Sequence, residues 1–464
     1  MNTSTLAPTG AVDQVIDVLS ARFGERLNVS RAVREQHARG EGLADVAAPD
    51  AVVWPLDKHE VCEILACCNA RGVPVIAFGV GSSVEGHVSA PFGGICIDCS
   101  RMDAVLAVHA EDGDCVVQPG VTREALNAHL KGTGLFFPVD PGANASIGGM
   151  VSTRASGTTT VRYGSMVQNV LALEVALADG RLIRVGTRAR KSAAGFDLVH
   201  LFTGAEGTLG VITEITLKLH PLPADVAAAT CAFPTLADAV AAVMELSMSG
   251  VPFARIEFLD EHQVRACNLH SHLGLLEKPT LFLEFHGTAS AVREQTELAR
   301  EVVAGHGGED FRQATRPEDR SALWRARHLA YFAALALRPG CQSVVADVCV
   351  PISALADCVA RTRADIDREG LVAPILGHVG DGNYHVLFMP MPDAPAEHAA
   401  VDRVYAAMVE RALRVGGTCT GEHGIGMGKK SKLLAEVGPD VVALMRATKL
   451  AWDPKSILNP GKIF

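Results

Sequence analysis

The chain of 464 residues lacks any run of about 18 consecutive apolar residues, the length a membrane-spanning helix requires. Its longest candidate, residues 239–248, is interrupted by Glu245 and preceded by Asp238, so no transmembrane segment is expected. Basic residues are also short: 42 Lys and Arg stand against 52 Asp and Glu, a net charge of −10, which argues against a nucleic-acid partner. Cysteine is present, at 12 residues, but without pattern. Cys96-Ile-Asp-Cys99 is the only C-x-x-C, with no second pair for a structural zinc site and no four-cysteine run for an iron–sulfur cluster. Cys67, Cys68, Cys96 and Cys349 sit in apolar stretches, as buried thiols of a reducing compartment do. The polar N-terminus carries neither the basic and apolar regions of a secretory signal nor a transit peptide. A cytoplasmic chain is expected, with peripheral contact at the inner face of a membrane left open.

What is there is enough apolar material, 48% of residues, for two or three packed domains. Asp57 reads as an N-cap with Glu60 three residues on; Val61, Ile64, Leu65 and Cys68 share a helical face, and Gly72 ends the helix. A short strand, Val73-Pro-Val-Ile-Ala-Phe78, then breaks into Gly79-Val-Gly-Ser-Ser-Val-Glu-Gly86. A strand at 115–117, a helix opened by Thr122, a hairpin turn at Asp179-Gly180 and an alternating strand from Val211 to Leu219 follow. Composition shifts at the prolines 221 and 223, after which helices (near 235–248, 290–305, 353–368 and 398–414) alternate with strands (near 253–259, 280–286, 343–350, 374–379 and 384–389). Glycine-rich character returns after Gly416. The expected domains are therefore 1–223, 224–415, and a 416–464 segment that folds back onto the first.

Gly79-x-Gly81-x-x-Val84 departs from the dinucleotide fingerprint at its third glycine, and no helix pattern follows, which disfavours a nicotinamide Rossmann site. The loop instead exposes successive backbone N–H groups, as wrapping a pyrophosphate requires. Pro141-Gly-Ala-Asn-Ala-Ser-Ile-Gly-Gly149 and Gly204-Ala-Glu-Gly-Thr-Leu-Gly210 are tracts of the same kind, and three within one domain point to a large phosphate-bearing cofactor. Further on, Gly377-His378-Val-Gly-Asp381-Gly382-Asn-Tyr-His385 centres on Asp-Gly, the preferred pair of a two-residue hairpin turn. That turn would set His378 opposite His385, spaced to share one metal ion. Gly421-Glu422-His423-Gly424 adds a carboxylate and a third imidazole, an N/O ligand set suited to Zn or Mn.

The glycine tracts and histidine motifs, with Leu323-Trp-Arg-Ala-Arg-His328, Asp347-Val-Cys-Val-Pro351 and Asn459-Pro-Gly-Lys-Ile-Phe464, resemble the flavin-dependent D-2-hydroxy acid dehydrogenases of the vanillyl-alcohol oxidase and p-cresol methylhydroxylase superfamily. The likeness is greatest to the cytochrome-type D-lactate dehydrogenases and runs from about Val52 to Phe464. It implies an α+β fold: a two-subdomain FAD-binding fold of the p-cresol methylhydroxylase type, with an inserted α+β substrate-capping domain built on an antiparallel sheet. By this resemblance FAD is held by Gly79, Val80, Gly81, Ser82 and Ser83, by Pro141, Gly142, Ser146, Gly148 and Gly149, and by Ser152, Gly157 and Tyr163 of the same tract. Glu206, Gly210, Ile212 and Asn459 approach the flavin. No histidine or cysteine is assignable as a flavin attachment point, although His87 follows the first loop directly.

The resemblance further implies a divalent metal, Zn or Mn, on His378, His385 and Glu422, with His423 as general base and Arg327 as clamp for the substrate carboxylate. The reaction implied is oxidation of a short D-2-hydroxy acid, with D-lactate foremost, and electrons passed to a quinone, cytochrome c or an electron-transferring flavoprotein. The D-2-hydroxyglutarate branch has a lysine where this chain has Val345 and an asparagine where it has Leu387, and a distal carboxylate there would lack a charge partner. D-2-hydroxyglutarate or glycolate oxidation, non-redox chemistry as in alkyl-glycerone-phosphate synthase, and a flavoprotein subunit of a larger complex are the alternatives. A homodimer is left open.

Overall fold

The computed structural model describes residues 10–42 and 46–464, so the reading of the first nine residues lies outside it. The described chain divides into two units. The first holds 1–156, 165–221 and 422–464; the second holds 157–164 and 222–421.

Local signals build the first unit. The Asp57 side chain caps the Lys58–Arg71 helix by accepting from the N–H groups of His59 and Glu60, and Gly72, at φ 68°, ends it in the left-handed region. The apolar face anticipated for this helix is buried: Val61, Ile64, Leu65 and Cys68 pack on a four-stranded sheet. In that sheet Val75–Phe78 and Ala51–Val53 flank Ile95–Asp98 in parallel, and Leu27–Asn28 adds an antiparallel edge. Thr122 caps Arg123–His129 through the Ala125 N–H. A five-stranded antiparallel sheet has Val211–Lys218 at its centre, between Asp114–Val117 and Val170–Ala176. Val170–Ala176 and Leu182–Gly186 form the hairpin expected around Asp179-Gly180, with Gly180 at φ 84°.

The second unit is one seven-stranded antiparallel sheet with helices. Its strands run in the order Glu309–Ala314, Asp225–Ala232, Thr280–Gly287, Phe253–Leu259, Ile375–Gly377, Asn383–Phe388 and Val344–Cys349. The helices Glu261–Ser271 and Ala330–Ala336 were absent from the sequence reading, as was the Asp225–Ala232 strand. Among the described residues, no helix is long and apolar enough to cross a membrane.

The turn at Asp381-Gly382 corrects the expected register. His378 does not pair with His385; Leu376 does. The chain makes a 3₁₀ turn over Val379–Asp381, closed by Asn383 N–H donating to His378 C=O at 3.2 Å. Gly382, at φ 77°, presses against the Val350 carbonyl, where a Cβ would collide. Burial of Val379 completes this wider turn, which two residues could not span.

Candidate active site

In the first unit the three glycine tracts meet. A Cβ at Gly79 would strike Ser146 Oγ, so the 79–83 loop is seated directly on the second tract. Gly148 lies against Pro119, where a Cβ would be 2.6 Å from the proline Cβ. The third tract is stitched to the Ile147–Thr153 helix: Gly204 N–H donates to Val151 C=O and Glu206 N–H to Ser152 C=O, both at 2.8 Å. Among the described residues, the N–H groups of Val80, Gly81, Ser82 and Ser83 donate to no backbone or side-chain acceptor. Glycines packed against backbone, beside unengaged amides, are what an anionic pyrophosphate needs, and these residues fit one.

The other residues assigned to the cofactor have varied surroundings. Ser152 Oγ donates to Gly148 C=O at 2.8 Å, one helical turn back. A Cβ on Gly210 would clash with Val175, whereas Gly142 has open space around its Cα and Pro141 is half-buried. Ile212 lies buried in the Val211–Lys218 strand. Asn459 donates through Nδ2 to the carbonyls of His87, at 3.1 Å, and Glu206, at 2.7 Å. Gly157 and Tyr163 fall in the second unit, where the Tyr163 hydroxyl lies 2.7 Å from His286 Nδ1 and His286 Nε2 lies 2.9 Å from Glu284.

The Glu422-His423 pair belongs to the first unit. Ser156 Oγ donates to Glu422 Oε2 at 2.6 Å, and His423 Nε2 stands 3.9 Å from Glu422 Oε1. Past Gly424, the amides of Ile425 and Gly426 donate to the buried Glu206 carboxylate. Burial pushes the Glu206 carboxyl up, but His87 and the two amide donors outweigh it and hold it below the usual carboxylate range.

The second unit carries the two histidines and Arg327, all buried: His385 on the Asn383–Phe388 strand, His378 at the head of the 3₁₀ turn, and Arg327 on a helix. The rings of His378 and His385 stand 5.4 Å apart at 85°. His378 Nδ1 is 2.8 Å from Glu257 Oε1, and His385 Nδ1 is 3.4 Å from Asp347 Oδ1. Asp347 is fully buried and accepts hydrogen bonds from Asn383, Thr420 and the Gly421 N–H. Metal-binding histidines commonly give their second nitrogen to such a carboxylate, which orients the ring and raises its basicity. The donor set fits a divalent metal on the Nε2 side of each ring. Arg327, on the Pro317–His328 helix, is 7% exposed and reaches the other oxygen of Glu257 at 2.6 Å. Its Nε has no hydrogen-bond partner among the described residues, a buried donor suited to a carboxylate.

Sequence reasoning missed Glu257 and the orienting role of Asp347. A signal was available for Glu257: it is the one acidic residue in the Phe253–Leu259 strand, whose only other charge is Arg255, and a buried charge of that kind needs a partner. Val345 and Leu387 stand directly opposite each other, two pairs along from Asp347 and His385 and so on the same sheet face.

Residues 49–186 match a family model described as FAD binding domain, and residues 222–463 match one described as FAD linked oxidases, C-terminal domain. The chain is 46% identical over 461 residues to the probable mitochondrial D-lactate dehydrogenase of Danio rerio, covering 98% of this chain and 93% of that one. It is 45% identical over 418 residues to the mitochondrial D-lactate dehydrogenase [cytochrome] of Arabidopsis thaliana, covering 90% and 74%. A solved structure of p-cresol methylhydroxylase with substrate bound superposes with a TM-score of 0.81 at 19% identity, covering 98% and 97%, a likeness of fold.

Proposed function

The chain belongs to the FAD-linked oxidases, and from that premise we propose that it oxidises a short D-2-hydroxy acid, D-lactate foremost, to the 2-oxo acid. The observation that carries the reading is the pair of buried histidines, each with its own carboxylate, beside a buried arginine already oriented by one of those carboxylates. FAD, when bound, supplies the acceptor for the substrate Cα hydride. A divalent metal would polarise the substrate hydroxyl as a Lewis acid, and His378, His385 and Glu422 would hold it.

The chain's own residues do the rest. The amides of the 79–83 loop and the 141–149 tract hold the cofactor pyrophosphate. Glu257 fixes the Arg327 guanidinium, whose remaining N–H donors pair with the substrate carboxylate. His423 takes the hydroxyl proton. The apolar Val345 and Leu387 pair favours a methyl or short alkyl side chain over a second carboxylate, whose burial there would go uncompensated. The Arabidopsis relative is named for a cytochrome acceptor, and a cytochrome such as cytochrome c is therefore the first acceptor to assay, ahead of quinone or an electron-transferring flavoprotein.

The deciding experiment is the visible spectrum of the purified protein under anaerobic conditions, with D-lactate, L-lactate and D-2-hydroxyglutarate added separately. Bleaching of the flavin bands by D-lactate alone is expected. Flavin that none of the three reduces would overturn the reading.

A further inference from the structure

A buried Glu–His pair lies in the first unit, apart from the metal ligands, the base and the carboxylate clamp named above. Glu206 is 5% exposed and His87 6%, and Glu206 Oε2 stands 3.2 Å from His87 Nε2. The same carboxylate accepts from two successive amides, Ile425 at 2.7 Å through Oε1 and Gly426 at 2.8 Å through Oε2. Those amides follow directly on Glu422, His423 and Gly424. Gly424, at φ 76°, and Gly426, at φ 49°, bend the backbone into the kind of concavity that elsewhere binds a free anion. Here an internal carboxylate fills it. A Cβ at Gly424 would stand 2.8 Å from Glu206 Oε1 and 3.0 Å from His87 Nε2, so the turn rests directly on the pair.

The pair is itself fixed. Glu206 lies at φ 52°, outside the ordinary range for a glutamate, and its N–H and C=O are engaged by Ser152 and Asn459. The His87 carbonyl accepts from the same Asn459 amide. Burying a carboxylate so completely is unfavourable unless every lone pair is answered, and what answers it is the backbone that carries the Glu422-His423 pair.

We propose that Glu206, with His87 packed against its carboxylate, is the positioning residue that holds the Glu422-His423 turn in its working geometry. The proposal rests on the reading of His423 as base. A displacement of about 1 Å at such a group costs on the order of 10²-fold in rate, so a rigid anchor two residues away bears on turnover without touching substrate.

The test uses full-length holoenzyme carrying Glu206→Gln, which keeps the volume but loses the charge and one of the two acceptors. Hydrogen exchange at the Ile425 and Gly426 amides should accelerate at least roughly tenfold. Flavin content should match the parent, KM for D-lactate should stay within about threefold, and kcat should fall about 10- to 100-fold. In a His423→Asn background the same substitution should cost no further activity, since the anchor would have nothing left to position. Unchanged exchange, or an equal additional loss in the His423→Asn background, would overturn the proposal. Should Glu206→Gln fail to fold, His87→Gln leaves both amide bonds in place and should give a smaller acceleration at the same amides; parent-like exchange there would count against the pair. If His423→Asn alone turns over normally, the base assignment fails, and the exchange measurement still decides whether Glu206 holds the turn.

Discussion

Glu257 Oε1 stands 2.8 Å from His378 Nδ1, and this contact fixes which face of the imidazole is turned toward a ligand. Its other oxygen holds Arg327, so one carboxylate sets the orientation of two groups assigned to the substrate site. Glu257→Gln should weaken metal binding by about 10- to 100-fold, the usual consequence of losing such an orienting partner. It should also lower the melting temperature, because removing one member of a buried ion pair costs up to about 3–5 kcal/mol. Calorimetric metal titration and a thermal melt check both; a variant equal to the parent in both would remove Glu257 from the site.

Metal removal is independent of any substitution. Treatment with a strong chelator should abolish D-lactate turnover and leave the flavin absorbance intact, with activity regained on adding Zn or Mn. Turnover indifferent to chelation would dismiss the metal.

His423→Asn should lower kcat by about 10²- to 10⁴-fold, the range expected for loss of a general base, while flavin and metal content stay at parent values. Rapid-mixing measurement of flavin reduction, rather than steady-state turnover, isolates the affected step.

Substrate choice should be portable through one position. Val345 faces Leu387 across the sheet, and Val345→Lys would introduce an ammonium next to the Asp347 and His385 pair. The ratio of kcat/KM for D-2-hydroxyglutarate to that for D-lactate should rise about tenfold or more, as a new charge-assisted hydrogen bond to the distal carboxylate would produce. An unchanged ratio would show that Val345 does not line the pocket for the substrate side chain.

Stability should depend on pH through Asp260. Burial pushes this carboxyl up to about 7, against the pull of the Gln263 and Ile375 amides and of Arg363, 3.5 Å away. The unfolded chain titrates it near 3.9. Between those values the folded state holds more protons than the unfolded one, so this contribution is fully present below about 4 and is lost as pH rises through about 7. Asp260→Asn should lower the melting temperature, through one lost amide bond, and flatten its decline between about pH 4 and 7. A decline as steep as the parent's would mean that other groups titrate.

The sequence disclosed what is decided locally. Asp57 and Gly72 bracket a helix because a side-chain cap and a left-handed glycine act within one turn, whereas the α+β class was implied by the resemblance. The register of the histidine strands was misread because Gly382 is held by Val350 and Val379 is buried, contacts that no local pattern announces. Glu206 was assigned to the cofactor by resemblance, and the engagement of its carboxylate by amides more than 200 positions away is a contact that no local pattern shows. Paired charges in a core are visible in sequence only as single unexplained charges, Glu257 among them.

The Gly157–Gly164 segment belongs to the second unit although its flanks belong to the first. Its Thr160–Tyr163 helix packs on the Phe253–Leu259 strand, Arg162 donates to Pro252 C=O, and Val161 meets Gly380 in the histidine turn. A gene fragment encoding 222–421 alone would therefore yield a sheet missing part of its own covering. Recombination between relatives would inherit the same constraint: a crossover at residue 222 exchanges the sheet but leaves this eight-residue patch with the other parent, so functional chimeras should require two exchanged segments instead of one.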